Sequence, residues 1–236
     1  MYVLYIGNKN YSSWSLRPWV LMHELAIPFE ERLMPFNPGS SWTEFRKFSP
    51  SGRVPCLVDG KLTVWDSLGI TEYLAERHAT VWPKNATARA WARCAAAEMH
   101  SGFSELRNRC TMNCGIRVQL NAVPPELEKE VARLAELWGE GLERFGGPFL
   151  AGESFTAIDA FYTPVAFRVQ TYGLKLEERA RAYVDRLLAL PSLESWYAAA
   201  LAEIWREPAH EEEAKAAGSW VADFRSGNGD PHARAQ

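Results

Sequence analysis

The hydrophobic pattern of this chain changes its period once, near Trp82-Pro83, and that change limits the fold more than any single residue does. Ahead of it, short apolar runs alternate with segments of helical spacing. Tyr2 to Ile6 has the length of a buried strand, and after a polar loop Pro18, Leu21, Met22 and Leu25 recur at helical spacing. Pro18 fits such a helix if it lies in the first turn, where its missing N–H costs nothing. Ile27-Pro28 ends the helix, and Phe29 to Met34 reads as a second strand. Cys56-Leu57-Val58 and Leu62-Thr63-Val64 flank Asp59-Gly60-Lys61, an Asp-Gly turn that signals a hairpin. A helix is expected from Ser67 to His78, with Leu68, Thr71, Leu74 and Ala75 on one stripe. A strand–helix–strand unit followed by a hairpin and a helix makes an α/β domain with a mixed four-stranded sheet.

Beyond a linker at 79–85 the spacing is helical throughout. Ala86 to Arg109 reads as one long alanine-rich helix. Leu127, Val131, Leu134, Trp138 and Leu142 form a helical stripe closed by Gly146-Gly147-Pro148. Further helices are expected near 156–172, 176–190 and 191–206, with no strand. The organisation is therefore an α/β domain over 1–80, an all-α domain over 86–218, and a frayed, flexible tail over 219–236. No internal repeat is visible.

Composition narrows the function. The 236 residues are 47% hydrophobic and 23% charged, with a formal net charge of −3, so no basic face for nucleic acid is expected. No apolar run approaches the roughly 20 residues that span a bilayer, and the start lacks the features of a signal peptide. Cys56, Cys94, Cys110 and Cys114 form no disulfide framework, and no second Cys or His pair stands at zinc spacing. Reduced thiols in the cytoplasm and no metal are the expectation.

Four local features carry chemistry. The first, Tyr11-Ser12-Ser13-Trp14-Ser15-Leu16-Arg17, sits where strand one meets helix one. A helix start presents free N–H groups and partial positive charge, so a hydroxyl there either caps the helix or donates to an anion. The second is Ser49-Pro50-Ser51-Gly52-Arg53-Val54-Pro55-Cys56. Pro55 before a strand is either a trans edge device or a cis turn, and a cis turn leaves the Val54 N–H and C=O free to pair with an extended peptide. The third is Asp66-Ser67, where Ser67 is an N-cap or half of a site for a zwitterionic amino-acid end. The fourth is Thr156 to Asp159, a capping box and not a catalytic pair. Taken together, the first three offer sites for a thiolate, a peptide backbone and an amino-acid terminus, which are the three groups of glutathione. His100, Phe103, Ser104 and Arg107 share one face of the long helix, which in the expected architecture borders a cleft between the two domains. They form either a second-substrate pocket, with Arg107 holding a carboxylate, or a solvated polar face.

With these residues in place, the chain resembles the cytosolic glutathione transferases. Ser12-Ser13-Trp14-Ser15-Leu16-Arg17 is similar to the zeta-class serine motif, Ser51 to Leu57 resembles the family's cis-proline loop, Asp66 to Ile70 its acidic-Ser motif, and Phe155 to Asp159 its C-terminal capping box. The resemblance implies a thioredoxin-like first domain and a homodimer that uses glutathione as co-substrate to conjugate a small electrophile. It implies Ser12 as the thiolate-stabilising hydroxyl and a cis Pro55. Val54 would then pair with the glutathione cysteine and Asp66 with Ser67 would hold its γ-glutamyl end, while Ser13 and Arg53 complete that site. Tyr11, His100, Phe103, Ser104 and Arg107 would line the second-substrate pocket. Trp14 stands where the zeta motif has cysteine, which weakens the transfer of maleylacetoacetate isomerisation to this chain. That isomerisation, and a non-catalytic glutathione-binding regulator, are the alternatives.

Overall fold

A computed structural model describes residues 1–37 and 39–225. The first half is built on strands β1 (Tyr2–Ile6), β2 (Phe29–Leu33), β3 (Cys56–Asp59) and β4 (Leu62–Trp65), in the order β2-β1-β3-β4. β1 runs parallel to β2 and antiparallel to β3, and β3 antiparallel to β4, so the sheet is mixed. Leu4 pairs with Leu57 in the central ladder, and both are fully buried. Gly60, at φ +59°, makes the hairpin turn, a conformation that costs glycine little.

Helix α1 (Ser13–Glu24) joins β1 to β2. It packs against α3 (Ser67–Ala75) and against α7 (Ala157–Tyr172) of the second half. Burial from two sides explains why Leu16, Trp19, Val20, Leu21 and Met22 leave it no wide polar face. A single apolar core thus runs through both halves. The helix begins earlier than Pro18 suggests: Pro18 lies in its second turn, where no N–H is available for the Trp14 carbonyl. A four-residue turn of helix, α2 (Trp42–Phe45), precedes the proline loop.

The second half holds α4 (Ala86–Ser101), α5 (Ser104–Arg109), α6 (Pro125–Phe145), α7, α8 (Glu178–Leu188), α9 (Pro191–Ala202) and α10 (Pro208–Ala217). Three expectations need correction. The long helix is broken: Phe103 takes a left-handed φ of +57° between α4 and α5, so His100 and Phe103 do not share a continuous helical face with Ser104 and Arg107. The half is not all helical, because β5 (Ile116–Leu120) pairs antiparallel with β6 (Gly218–Asp223). The tail expected from 219 is in its first part that strand, and Arg225 beyond it is buried; residues 226–236 lie outside the described residues. Gly218 permits the pairing, since a Cβ there would stand 2.1 Å from the Gln119 carbonyl oxygen.

Candidate active site

The loop between β1 and α1 is folded tightly before it reaches the serines. The Asn8 carbonyl accepts from the amides of Tyr11 (3.1 Å) and Ser12 (2.8 Å). The loop is held from the far end of the chain as well. The buried Glu203 carboxylate accepts from the amides of Lys9 (2.6 Å) and Asn10 (3.2 Å), and Trp196 Nε1 donates to the Lys9 carbonyl (2.8 Å). Tyr11 donates its hydroxyl to Glu211 at 2.5 Å, and Glu211 is gripped by Arg225 at 2.5 and 3.0 Å.

Ser12 occupies the N-cap position of α1, yet its side chain caps nothing. Its hydroxyl instead donates to Ser15 Oγ at 2.7 Å, and Ser15 Oγ also accepts from the Gly7 amide at 3.1 Å. Ser12 and Ser13 are nearly buried and both line a cleft of about 890 Å³. Its other walls are Trp14, Phe36, Trp42, Phe45 and the segment Gly52–Val54, with Arg107, Asn108, Thr111, Met112 and Arg168 from the helical half and His210 and Glu213 from α10. A smaller cavity of about 450 Å³ adjoins it, sharing Trp14, Trp42, Arg53 and Val54 and adding Ser51, Pro55, Trp65, Asp66 and Ser67. Trp42 and Trp65, large and half-exposed, are accounted for as cleft walls.

The Val54–Pro55 peptide bond is cis. Val54 stands just outside the β1–β3 ladder, and no described hydrogen bond uses its backbone groups. Gly52, at φ +63°, lies under the Trp42 ring, where a Cβ would come within 2.5 Å of Cε3. Asp66 is the actual cap of α3: its Oδ1 accepts from the Leu68 amide at 2.8 Å, so Ser67 is not the N-cap. Asp66 takes φ +67°, an uncommon conformation for a residue with a Cβ. Ser67 is buried and accepts a long hydrogen bond (3.4 Å) from Arg17, whose guanidinium is sandwiched between Trp14 (4.3 Å) and Phe161 (4.8 Å). Burial, then the charges of Arg107 and Arg168, pull the Arg17 pKa well below its ordinary value. Its Nε has no partner.

Of the residues expected in the second-substrate pocket, Tyr11 and Arg107 line the cleft. Three do not. Phe103 turns into the core and Ser104 faces solvent. His100 sits behind Trp14, its Nε2 3.6 Å from Asp66 Oδ1, and its pKa is lowered chiefly by burial. Arg107 donates from Nε to the Gly102 carbonyl (2.9 Å) and from Nη2 to those of His100 (3.3 Å) and Met99, at the end of α4, while its face lies over Trp14. Backbone thus holds two of its three guanidinium nitrogens. The cleft residue most clearly missed is Arg168. Its signal was available, because α7 carries only two charged side chains, Asp159 and Arg168, in an otherwise apolar run.

The capping box at the start of α7 is as expected. Asp159 accepts from the Thr156 and Leu150 amides at 3.0 Å and from the Tyr183 hydroxyl at 2.9 Å, far from the cleft chemistry. Among the described residues no group of three or more His, Cys, Asp or Glu side chains is placed to hold a metal, and no helix is long and apolar enough to cross a membrane.

A mixed four-stranded sheet with a cis-proline loop and serines at the first helix start, facing a mainly helical half, is the two-part fold of the glutathione transferases. The family model for the glutathione S-transferase N-terminal domain matches residues 11–77, and that for the C-terminal domain matches 86–199. The chain belongs to the glutathione S-transferase family. A dichloromethane dehalogenase from Methylorubrum extorquens is 43% identical over 58 residues, a stretch that is 24% of this chain and 20% of that protein. A zeta-class glutathione S-transferase from Euphorbia esula is 27% identical over 157 residues, covering 65% of this chain and 70% of its own. A glutathione transferase homolog from Burkholderia, solved with bound glutathione, superposes with a TM-score of 0.64 at 23% identity, over 84% of this chain and 97% of that one.

Proposed function

We propose that this protein binds glutathione across the two adjoining cavities and transfers it to a small electrophile, with Ser12 stabilising the thiolate. The observation that carries the reading is the state of the Ser12 hydroxyl, which is buried at a helix start and caps no amide. It is tied instead to Ser15, whose oxygen also holds the Gly7 N–H. Hydroxyl hydrogens rotate to suit their partners. With a sulfur anion in the cleft, Ser15 donates to Ser12 and Ser12 donates to sulfur, so that every hydrogen in the chain from Gly7 onward is used. The free amides and partial positive charge at the start of α1 add to the same effect.

The peptide would pair with the Val54 backbone beside cis Pro55, and its γ-glutamyl end would reach Asp66 and Ser67, with Ser13 and Arg53 on its flanks. A thiol of ordinary pKa, about 8.5, is mostly protonated at neutral pH. Lowering it by about two units corresponds to about 2.7 kcal/mol of stabilisation of the anion. The aromatic walls then hold the electrophile against the sulfur, and proximity lowers the remaining barrier.

The test is an ultraviolet titration of enzyme-bound glutathione. Ser12→Ala is expected to raise the thiol pKa by one to two units, on the order of the shift assigned to the hydroxyl, whereas Ser13→Ala leaves it closer to wild type. An unchanged titration in Ser12→Ala removes Ser12 from the mechanism. The likeness to a zeta-class relative supports a second reading, glutathione-dependent cis–trans isomerisation. Turnover of maleylacetone without net loss of glutathione would select it.

A further inference from the structure

Arg168 is placed where a guanidinium is expensive to keep. It is the twelfth of the sixteen residues of α7, is 4% exposed, and lines the cleft together with the serine loop. Its Nε donates to the Cys110 carbonyl at 2.8 Å and its Nη1 to the Pro164 carbonyl at 3.3 Å. Its Nη2 has no protein acceptor, and it is not among the sealed, partnerless atoms, so it keeps an opening to the cleft.

The two neighbouring arginines are in a different position. Arg17 is influenced by the Asp66 carboxylate and Arg107 by Glu130. Among the described residues Arg168 makes no ion pair with a carboxylate; burial first, and the cation of Arg107 next, lower its pKa to about 10. A buried charge with only carbonyl partners is costly to fold around, and a guanidinium with one free amino edge is shaped for a planar oxyanion. The same cleft is lined by the polar Asn108 and Thr111 and by the rings of Tyr11, Trp14, Phe36, Trp42 and Phe45. The carboxylate of Glu213 also lines this cleft but is exposed to water at its rim.

We infer that Arg168 forms an anion subsite and that the second substrate is an electrophile bearing a carboxylate on an aromatic or conjugated frame. The inference rests on the transferase reading for its word "substrate", but the subsite itself is measurable without turnover. The probes are two unreactive compounds, 3,5-dinitrobenzoate and 3,5-dinitrobenzamide, which differ in charge and hardly in shape. Their binding is measured by titration calorimetry with and without S-methylglutathione.

The wild-type protein is expected to bind the benzoate at least about tenfold more tightly than the amide, as one charge-assisted hydrogen-bonded contact implies. Arg168→Met is expected to abolish that preference, and Arg168→Lys to keep part of it. Equal binding of the two compounds by wild type, or a full preference surviving in Arg168→Met, overturns the subsite. Equal binding by wild type overturns the subsite whether or not Arg168→Met folds, and if it does not fold, an undiminished preference in Arg168→Lys and in Arg168→Gln overturns the assignment to Arg168. Retention of the same preparation on immobilised glutathione separates the two readings. Loss of retention with an intact benzoate preference refutes the transferase reading alone. Retention without the preference refutes the subsite alone.

Discussion

Replacing Arg225 by methionine is expected to undock the C-terminal strand and loosen the serine loop. The Arg225 side chain is 1% exposed and holds two carboxylates at once. Nη1 and Nη2 reach Glu211 at 2.5 and 3.0 Å, while Nε and Nη2 reach Asp223 at 2.8 and 2.6 Å. Methionine fills the space of the aliphatic stem beside Gly115 but removes the Arg225 guanidinium from both acids. Breaking a buried pair from one side costs about 3–5 kcal/mol. The lower end applies here, because the carboxylates keep 14% and 18% exposure and Glu211 retains donors from Tyr11 and Asn113.

About 3 kcal/mol is roughly a hundredfold change in a local opening equilibrium. Hydrogen exchange of the amides in β5, which pair with β6, should therefore accelerate by about that factor. Glutathione affinity should fall with it, because Glu211 is the link from Arg225 to Tyr11 and so to Ser12. Adding Glu211→Gln to Arg225→Met should cost less than the two single changes summed, as coupled neighbours do. Unchanged exchange in Ile116–Leu120 would refute the argument that this ion cluster fastens the strand.

Gly52→Ala should place a methyl group against the Trp42 ring at a left-handed φ, costing about 1–2 kcal/mol for the backbone alone; thermal melting checks the cost, and unaltered glutathione retention would mean that Trp42 does not shape the cleft. Burial raises the thiol pKa of Cys56 to about 11 and of Cys110 to about 12, and pushes that of Cys114 further up. An aromatic disulfide reagent at pH 8 should accordingly titrate only Cys94, the exposed thiol, in the native protein and all four cysteines in denaturant. A second fast-reacting thiol in the native state would show that one of these sites opens readily.

Much of the N-terminal sheet was legible because its signals are local. A run of five apolar residues, a proline break and an Asp-Gly turn each act within a few positions, and β1, β2 and the β3–β4 hairpin fall where those signals put them. The break after α4 was hidden, since the sequence on both sides suits a helix and only the left-handed Phe103 redirects it. Ile116 to Leu120 does alternate, with Ile116 and Val118 buried, but an alternation this short without a nearby partner cannot be told from a loop. Its partner is about a hundred residues away in a stretch whose Gly, Ala and Asp content reads as a tail. The same limit applies to the cleft. Ser12, Val54-Pro55 and Asp66-Ser67 stand out through short motifs and line the two adjoining cavities, whereas His100, Phe103 and Ser104 depend on a continuous face that the broken helix does not present.

The amino-acid order by itself determined the two-part layout, the strand and turn positions of the first part, the capping box of Asp159 and the motifs that mark the glutathione family, because propensity, periodicity and capping depend on neighbours along the chain. Only the tertiary structure decided which hydroxyls and cations meet in the cleft. Arg107 and Arg168 each give two guanidinium nitrogens to carbonyls because α5 and α7 pack as they do, and the loop of Ser12 is held by Glu203, Glu211 and Arg225 from the opposite end of the chain. Burial and charge compensation are sums over all neighbours in space, and no window of sequence contains them.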